Sequence, residues 1–293
     1  MGVIVTVFLP LAVVVIMFSL GLGLSVGDFW RLKERPRAFL IGALNQIVLL
    51  PAVAYGIVLA WDITGATAVG IMILAACPGG AVSNIVTKFA NWDLALSITL
   101  TAVFSLTCVL TIPLILGFAV QQFIETSVPD IDITGTAIRA FLLTALPIAL
   151  GVAVRSLAPN VAHALEPAFA RTATVLFVCV ITAAVLSNWR LVTEHITDIG
   201  AALFCLIVIL STVGLIGSSM LGASANEART IAVETSVQNS ALGVALAGLL
   251  VADSPGFNAF AIPSAIYAVI WLATALPLFL VFAKISPKDL PKP

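Results

Sequence analysis

Two apolar stretches of this chain are interrupted by residues that combine polar side chains with poor helix-forming backbone. Residues 77–84 read Cys-Pro-Gly-Gly-Ala-Val-Ser-Asn, and residues 234–239 read Glu-Thr-Ser-Val-Gln-Asn. Polar, non-helical backbone at membrane depth is tolerated only where it is buried in protein or lines a water-filled cavity. A pair of interrupted hydrophobic segments in the two halves of a chain is typical of a transporter's binding site.

The first interruption centres on Pro78, Gly79 and Gly80. Proline removes a backbone donor and clashes with the preceding helical turn, and glycine makes helical continuity costly. The alternative is a glycine pair that lets two membrane helices approach closely. Such a pair needs neither the proline nor the adjacent Ser83 and Asn84, so a true break is favoured. A break frees carbonyl groups that suit cations and N–H groups that suit anions.

Glu234 is the only carboxylate that the sequence places within a predicted membrane span. An acid at that depth is costly and is a functional hypothesis by default. The alternative is an interfacial glutamate paired with Arg229, but Gln238 and Asn239 extend the polar stretch deeper than such a pair requires. Carboxylate, hydroxyl and amide oxygens without Cys or His are hard-cation ligands, which indicates sodium or a proton.

Two further polar pairs lie in apolar segments. Ser97 and Thr101 are spaced so that both fall on one helical face. The alternative for them is hydrogen bonding of each hydroxyl to its own helix. Asn45 and Gln46 form an amide pair that must find partners in protein or water, either as a link between helices or at a site. The residue types alone leave both questions open.

The composition predicts an all-α, polytopic membrane protein. The 293 residues are 61% hydrophobic and 9% charged, whereas soluble domains contain about 25% charged residues. The four cysteines fit no metal-binding spacing and are interpreted as small apolar residues. His163 and His195 fall in predicted loops without companions at ligand spacing. The sequence contains no nucleophile, phosphate-loop, zinc-protease or dinucleotide motif, which argues against an enzyme, and the net charge of −1 predicts no nucleic-acid partner.

Apolar runs of about 20 residues predict nine membrane-spanning helices. The runs lie at about residues 3–24, 38–60, 66–88, 94–122, 135–155, 168–187, 198–222, 229–251 and 258–283. The first run lacks a basic N-terminal region and a small-residue cleavage site, so it is interpreted as a retained helix rather than a signal peptide. Short connections make residues 1–293 a single transmembrane domain, expected in the cell (inner) membrane.

The charges are distributed unequally between the two sides that these spans define. Eleven of the 13 cations share one side: Arg31, Lys33, Arg35, Arg37, Lys88, Arg155, Arg171, Arg229, Lys284, Lys288 and Lys292. The other side has Arg139 and Arg190 together with Asp62, Glu125, Asp130, Asp132, Glu194, Asp198 and Asp253. Because cytoplasmic loops carry the excess of Lys and Arg, the N-terminus is expected outside and the C-terminus in the cytoplasm.

Short landmarks predict an internal repeat. The matched segments are residues 24–32 with 186–191, and residues 112–116 with 276–280. The first segment of the earlier pair precedes a predicted cytoplasmic loop and the second an external one, so the repeats are expected to be inverted. Repeat one comprises residues 1–122 with helices 1–4, and repeat two comprises residues 135–283 with helices 5–9. Repeat one therefore has one helix fewer than repeat two.

Residues 76–84, followed by residues 93–97 and Thr101, resemble the first signature of the bile acid:sodium symporter family. Residues 234–240, Glu-Thr-Ser-Val-Gln-Asn-Ser, resemble the second signature of that family. The similarity extends from about Pro10 to Phe282, nearly the whole chain. The chain is identified on this resemblance as a nine-helix bacterial form of the family.

The resemblance implies a panel domain and a core domain, with two discontinuous helices that cross in the core. It also implies sodium ions, two in number, at that crossing. The first ion would be held by Ser83, Asn84, Ser97, Thr101 and Glu234. The second would be held by Gln46, Glu234, Gln238 and the backbone carbonyls of Thr235 and Val237.

The family's substrates are organic anions, from bile acids to smaller carboxylates, bound between panel and core. The expected substrate contacts here are Asn239 and the backbone amide groups near Ala81 and Val82. Two departures leave bile-acid specificity open: the usual first helix is missing, and Trp271-Leu272 stands where some members carry a polar pair. The predicted function is a sodium-coupled symporter of an organic anion that works by alternating access in the lipid bilayer. The alternatives are a cation-coupled antiporter or efflux carrier on a similar scaffold, and a non-transporting receptor or scaffold.

Overall fold

The computed structural model describes residues 7–25, 27, 36–124, 133–187, 189–248, 250, 257–285 and 290–291. Within these residues every regular element is a helix. Several residues that the sequence argument used lie outside the described ranges: Arg31, Lys33, Arg35, Lys288, Lys292, Glu125, Asp130, Asp132, Asp253, Asn188 and residues 29–32.

The helices are numbered here in chain order. They are α1 (Leu9–Leu22), α2 (Pro36–Leu44, a π-helical turn Asn45–Leu49, and Leu50–Ala60), α3 (Gly65–Ala76), α4 (Ala81–Phe89), α5 (Leu94–Phe123), α6 (Ile133–Ala140, a π-helical turn Phe141–Ala145, and Leu146–Leu157), α7 (Pro159–Ser187), α8 (Trp189–Met220), α9 (Ala225–Ser236), α10 (Ser240–Gly248) and α11 (Ile262–Lys284).

Four helices in the described part are long and apolar enough to cross a membrane by themselves: α2, α5, α6 and α8. Helix α11 is a fifth candidate, bent by 41° before Pro277, because an internal proline cannot continue the backbone hydrogen-bond ladder. The chain is thus a multi-pass membrane protein. The total of nine crossings and the inverted repeats stay predictions.

The connection between α6 and α7 differs from the prediction. A loop was expected between residues 155 and 168, but only Ala158 separates the two helices. Arg171 and His163 therefore lie within α7, and His195 lies within α8 rather than in a loop. The hydropathy pattern did not show that these polar segments are helical, because it marks only apolar segments. A helix continues through polar residues as long as its backbone hydrogen bonds remain satisfied.

Both predicted interruptions are present in the helices. Helix α3 ends before Cys77, whose backbone is extended with a ψ angle of 144°. An extended conformation is expected there because Cys77 precedes a proline. Helix α4 begins just after the extended Gly80. In the second half of the chain α9 ends before the extended Val237, and α10 begins three residues later at Ser240.

The two non-helical connectors, residues 77–80 between α3 and α4 and residues 237–239 between α9 and α10, pair with each other through their backbones. Gly79 and Gln238 form an isolated antiparallel bridge. The amide N–H of Asn239 donates to the carbonyl oxygen of Pro78 at 3.0 Å. Since buried backbone polar groups must be paired, this bridge replaces some of the helical hydrogen bonds that the breaks remove.

The helices pack in two groups, which meet where α6 packs along α5. Helices α1, α6 and α7 pack on one another, and α1 approaches α6 so closely that a Cβ on Gly21 would lie 3.0 Å from Cα of Gly151. Such small residues allow close backbone approach between membrane helices. The second group includes α3, α5, α8, α9, α10 and α11. The paired interruptions belong to the second group, and α1 and α7 of the first group lie beside them.

Candidate cation and substrate site

Glu234 is buried on α9, with 2% of its surface exposed. Its Oε1 accepts a short hydrogen bond from the Ser97 hydroxyl, and its Oε2 accepts one from the Thr101 hydroxyl at 2.9 Å. The side chain of Arg229 bonds elsewhere, to Oδ1 of Asn226 at 3.1 Å and to the carbonyl of Ile285 at 2.5 Å. The alternative of an interfacial Arg229–Glu234 pair is therefore wrong.

Helix α4 brings the first interruption to the same carboxylate. The Ser97 hydroxyl lies 2.8 Å from Oδ1 of Asn84. Ser83 donates to the carbonyl of Gly80 at 2.7 Å. A Cβ built on Gly79 would lie 2.6 Å from Oε2 of Glu234 and 3.6 Å from the Ser83 hydroxyl oxygen. The connector can therefore pass the carboxylate only because residue 79 has no side chain.

The surroundings of Glu234 are rich in oxygen and lack a cationic partner among the described residues. A buried carboxylate needs compensation for its lost hydration, either by a proton or by a cation. In the described ranges no three His, Cys, Asp or Glu residues form a metal-binding group. Hydroxyl, amide and carboxylate oxygens are the ligands that hard cations prefer. The donor set thus fits an alkali ion.

A second polar group lies across the paired interruptions. Gln46, in the π-helical turn of α2, donates through Nε2 to the carbonyl of Cys77 at 3.0 Å and to Oε1 of Gln238 at 3.2 Å. Gln238 donates to the carbonyl of Thr235 at 2.9 Å. The backbone N–H of Val237 continues the helical pattern by donating to Val233. The structure thus brings Gln46 to both interruptions at once.

The expected substrate contacts line a small cavity beside the breaks. Oδ1 of Asn239 accepts from the backbone N–H of Leu242 at 3.0 Å and so caps α10. Asn239 shares the cavity wall with Gly80 and Val82, and helix α4 begins there at Ala81. The first N–H groups of a helix have no partner inside the helix. They are donors for a negatively charged group.

A larger cavity of about 520 Å³ adjoins the small one. It lies between α1, α4, α5 and α7, and is lined by Ile16, Ser19, Leu20, Gly23, Asn84, Ile85, Ile98, Glu166, Ala170, Arg171, Ala173, Thr174 and Val175. The two cavities share Ile16, Ile85, Ala173 and Thr174. Small-molecule sites typically have this volume and this mainly apolar lining with a few polar groups.

Two supporting residues, Thr230 and Tyr267, escaped the sequence argument. The Thr230 hydroxyl accepts from the backbone N–H of Asp93 at 3.1 Å, one turn before Glu234 on α9. The Tyr267 hydroxyl donates to the carbonyl of Ser236, the last residue of α9. Thr230 could have been found from its spacing, since residues four apart share a helical face. Tyr267 is a polar residue in an apolar helix, but its partner cannot be deduced from local sequence.

Trp271 and Leu272 line neither the small nor the large cavity described above. Trp271 is buried, whereas Leu272 is 61% exposed on the outer face of α11. The described residues give the indole N–H of Trp271 no hydrogen-bond acceptor. These two positions therefore carry no argument about the substrate.

The fold and the site define a multi-pass membrane protein in which two interrupted helices meet around a buried carboxylate. The sequence model of the Sodium Bile acid symporter family matches residues 10–195, more than half of the chain. The chain belongs to this family, and the family predicted from the two signatures is confirmed. It is accordingly a sodium-coupled membrane transporter and not an enzyme.

Relatives in several kingdoms share the similarity. An uncharacterized sodium-dependent transporter of Bacillus subtilis (strain 168), YocS, is 30% identical over 274 residues, which cover 90% of this chain and 78% of YocS. The Homo sapiens sodium/bile acid cotransporter 4 is 28% identical over 82% of this chain and 55% of its own length. The probable chloroplastic sodium/metabolite cotransporter BASS2 of Oryza sativa subsp. japonica is 27% identical over 79% and 54%. The chain spans about half the length of the human and rice relatives.

Proposed function

We propose that this protein is a symporter that moves an organic anion together with two sodium ions. The observation that carries the proposal is the buried Glu234 carboxylate, which accepts hydrogen bonds from Ser97 and Thr101 where two helices are interrupted. A buried acid of this kind, surrounded by oxygen atoms and without a cationic partner among the described residues, has the composition of an alkali-ion site.

The first ion is assigned to the oxygens around Glu234, which come from Ser83, Asn84, Ser97 and Thr101. The hydroxyl groups that now donate to the carboxylate would turn their lone pairs to the ion. The second ion is assigned to Gln46, Gln238 and Glu234, with the carbonyls of Thr235 and Val237. The hydrogen bonds of Gln46 to both interruptions support this second assignment, because they place its amide group at the pairing of the breaks.

The substrate is assigned to the cavity beside the breaks. Its anionic group would meet Asn239 and the free N–H groups at the start of α4, near Ala81 and Val82. The neutralising sodium ions and the N-terminal end of a helix both favour an anion at that point. The adjoining cavity between the two helix groups offers a path toward solvent.

Coupling follows from the shared position of the ions and the paired interruptions. Sodium would neutralise Glu234 and join the two connectors, so ion binding and the shape of the anion site would depend on each other. The helix group α1, α6 and α7 would act as the panel, and the other group as the core that moves against it. A difference in sodium affinity between the outward-facing and inward-facing states would drive transport. Each sodium ion that crosses a potential of 100 mV contributes about 2.3 kcal/mol.

The test is uptake of radiolabelled organic anions into proteoliposomes, with an inward sodium gradient compared with an equal choline gradient. Glu234→Gln is expected to abolish sodium-dependent uptake. Glu194→Gln, which changes an exposed carboxylate paired with Arg190, is expected to leave it intact. Normal uptake by Glu234→Gln would refute the assigned ion site, and substrate efflux driven by inward sodium would establish the antiport alternative instead.

A further inference from the structure

The large cavity has a charged end that the proposed sodium and substrate contacts do not use. Glu166 and Arg171, both on α7, line it, while the wall between them and the breaks is formed mostly by apolar residues. Nη1 of Arg155 lies 3.4 Å from Oε2 of Glu166. This pair offsets the charge of Glu166, so the charged end of the cavity keeps one net positive charge, that of Arg171.

The guanidinium group of Arg171 has donors to spare. Its Nε donates to the carbonyl of Pro167 at 3.1 Å. The two terminal nitrogens have no acceptor among the described residues. A guanidinium group with both terminal nitrogens available is suited to a carboxylate, which it binds through two parallel hydrogen bonds.

The opposite end of the connected cavities has donors of its own. Asn239 is 4% exposed, and its oxygen is occupied by the cap of α10. Its Nδ2 group finds no acceptor in the described part of the chain, and the residue lines the small cavity together with the start of α4. Thr174, which borders both cavities, lies one helical turn from Arg171 on α7. Thr174 thus connects the wall that carries Arg171 with the wall that carries Asn239.

We infer that Arg171 binds a second acidic group of the substrate, so that the protein favours organic dianions over monoanions of the same length. This inference rests on the proposed function, in which the first acidic group meets Asn239 and the start of α4. The apolar wall between the two ends, including Ile16 and Ile85, contacts the hydrocarbon part that joins the acidic groups. The two sodium ions and Arg171 would together balance the charges of Glu234 and one dianion.

The experiment measures thermal stabilisation of the purified protein by succinate and adipate, compared with butyrate and hexanoate, each in sodium chloride and in choline chloride. In sodium, a dicarboxylate is expected to bind about tenfold more tightly than its matched monocarboxylate, as for a gained Arg–carboxylate bond. Arg171→Gln is expected to remove this difference while keeping the response to the monocarboxylate. Arg171→Lys is expected to keep part of it.

Two further variants test how dicarboxylate binding depends on the charge near Arg171. Glu166→Gln removes the negative charge at that end and is expected to strengthen dicarboxylate binding, while Arg190→Gln, at an exposed pair on α8, is expected to change nothing. The inference is overturned if both acid classes stabilise equally, if neither does, or if Arg171→Gln weakens both alike. The same measurement without any acid gives the stabilisation by sodium alone, which Glu234→Gln is expected to abolish. This result tests the proposed ion site separately from the dicarboxylate inference.

Discussion

Gly79 is the position in the first connector at which an added side chain would meet Glu234. A Cβ at this position would lie 2.6 Å from Oε2 of Glu234, whereas at Gly80 the nearest atom would be 3.8 Å away, in Asn239. Neither glycine has a positive φ. Gly79→Ala and Gly80→Ala are therefore a matched pair: both add one methyl group to the same connector, and only the first meets the carboxylate.

The size of the effect follows from these distances. Ordinary contact begins near 3.4 Å, so the carboxylate oxygen must move by about 0.8 Å in Gly79→Ala, or the connector must move away from Gln238. A shift of this size removes Oε2 from the position in which it accepts from Thr101 at 2.9 Å and in which it would bind the ion. The lost contact between Oε2 and the ion is taken as equal to a hydrogen bond to a charged group, about 1.5–3 kcal/mol. Sodium affinity is therefore expected to fall about 10-fold to 100-fold in Gly79→Ala.

The assay is the unfolding temperature of the purified protein across a sodium chloride titration, with choline chloride added to keep the ionic strength constant. Because a ligand that binds only the folded state stabilises it by RT ln(1 + [L]/Kd), where [L] is the free ligand concentration, the titration gives an apparent Kd. The wild type and Gly80→Ala are expected to respond alike, and Gly79→Ala only at much higher sodium. Equal responses of the two glycine variants would refute the placement of sodium at Glu234.

Two predictions concern the supporting residues. Thr230→Val removes the acceptor for the backbone N–H of Asp93 and is expected to weaken sodium binding by about 1 kcal/mol. Thr230→Ser keeps a hydroxyl group and is expected to bind sodium like the wild type in the same titration. If the serine variant binds sodium as weakly as the valine variant, the Thr230 hydroxyl does not support the site. Tyr267→Phe leaves the carbonyl of Ser236 without its buried donor and is expected to cost about 1–3 kcal/mol of folding stability in sodium-free buffer. An unchanged unfolding temperature would show that this hydrogen bond does not hold the end of α9.

Much of the fold could be predicted because its causes are local. Hydropathy places apolar helices, and a proline flanked by glycines prevents one from continuing, so the break after Ala76 was predictable from neighbouring residues. The helices around Ala158 show the limit of that reasoning. Polar residues at a helix end look like a loop in a hydropathy profile, but the backbone of α7 stays helical through Pro167.

The composition of the site was predictable, but its partners were not. Sequence spacing could place Ser97 and Thr101 on one face, yet it could not decide between bonding to their own helix and bonding elsewhere. In the structure both hydroxyls donate to Glu234, which is 137 residues from Ser97 along the chain. For the same reason the partner of Glu234 could not be chosen between Arg229 and the hydroxyl groups until the helices were packed.

The sequence by itself determined that this chain enters a membrane. It also determined the positions at which two helices are interrupted and the side-chain oxygen atoms that are available at those positions. These properties depend on residue types and on neighbours within a few helical turns. Only the tertiary structure decided that the two interruptions pair through their backbones. It also decided that Gln46 forms hydrogen bonds to both of them, although it is 192 residues from Gln238 along the chain. It also decided that Arg171 faces a cavity. Such contacts depend on how helices pack, and the positions of residues along the chain do not specify that packing.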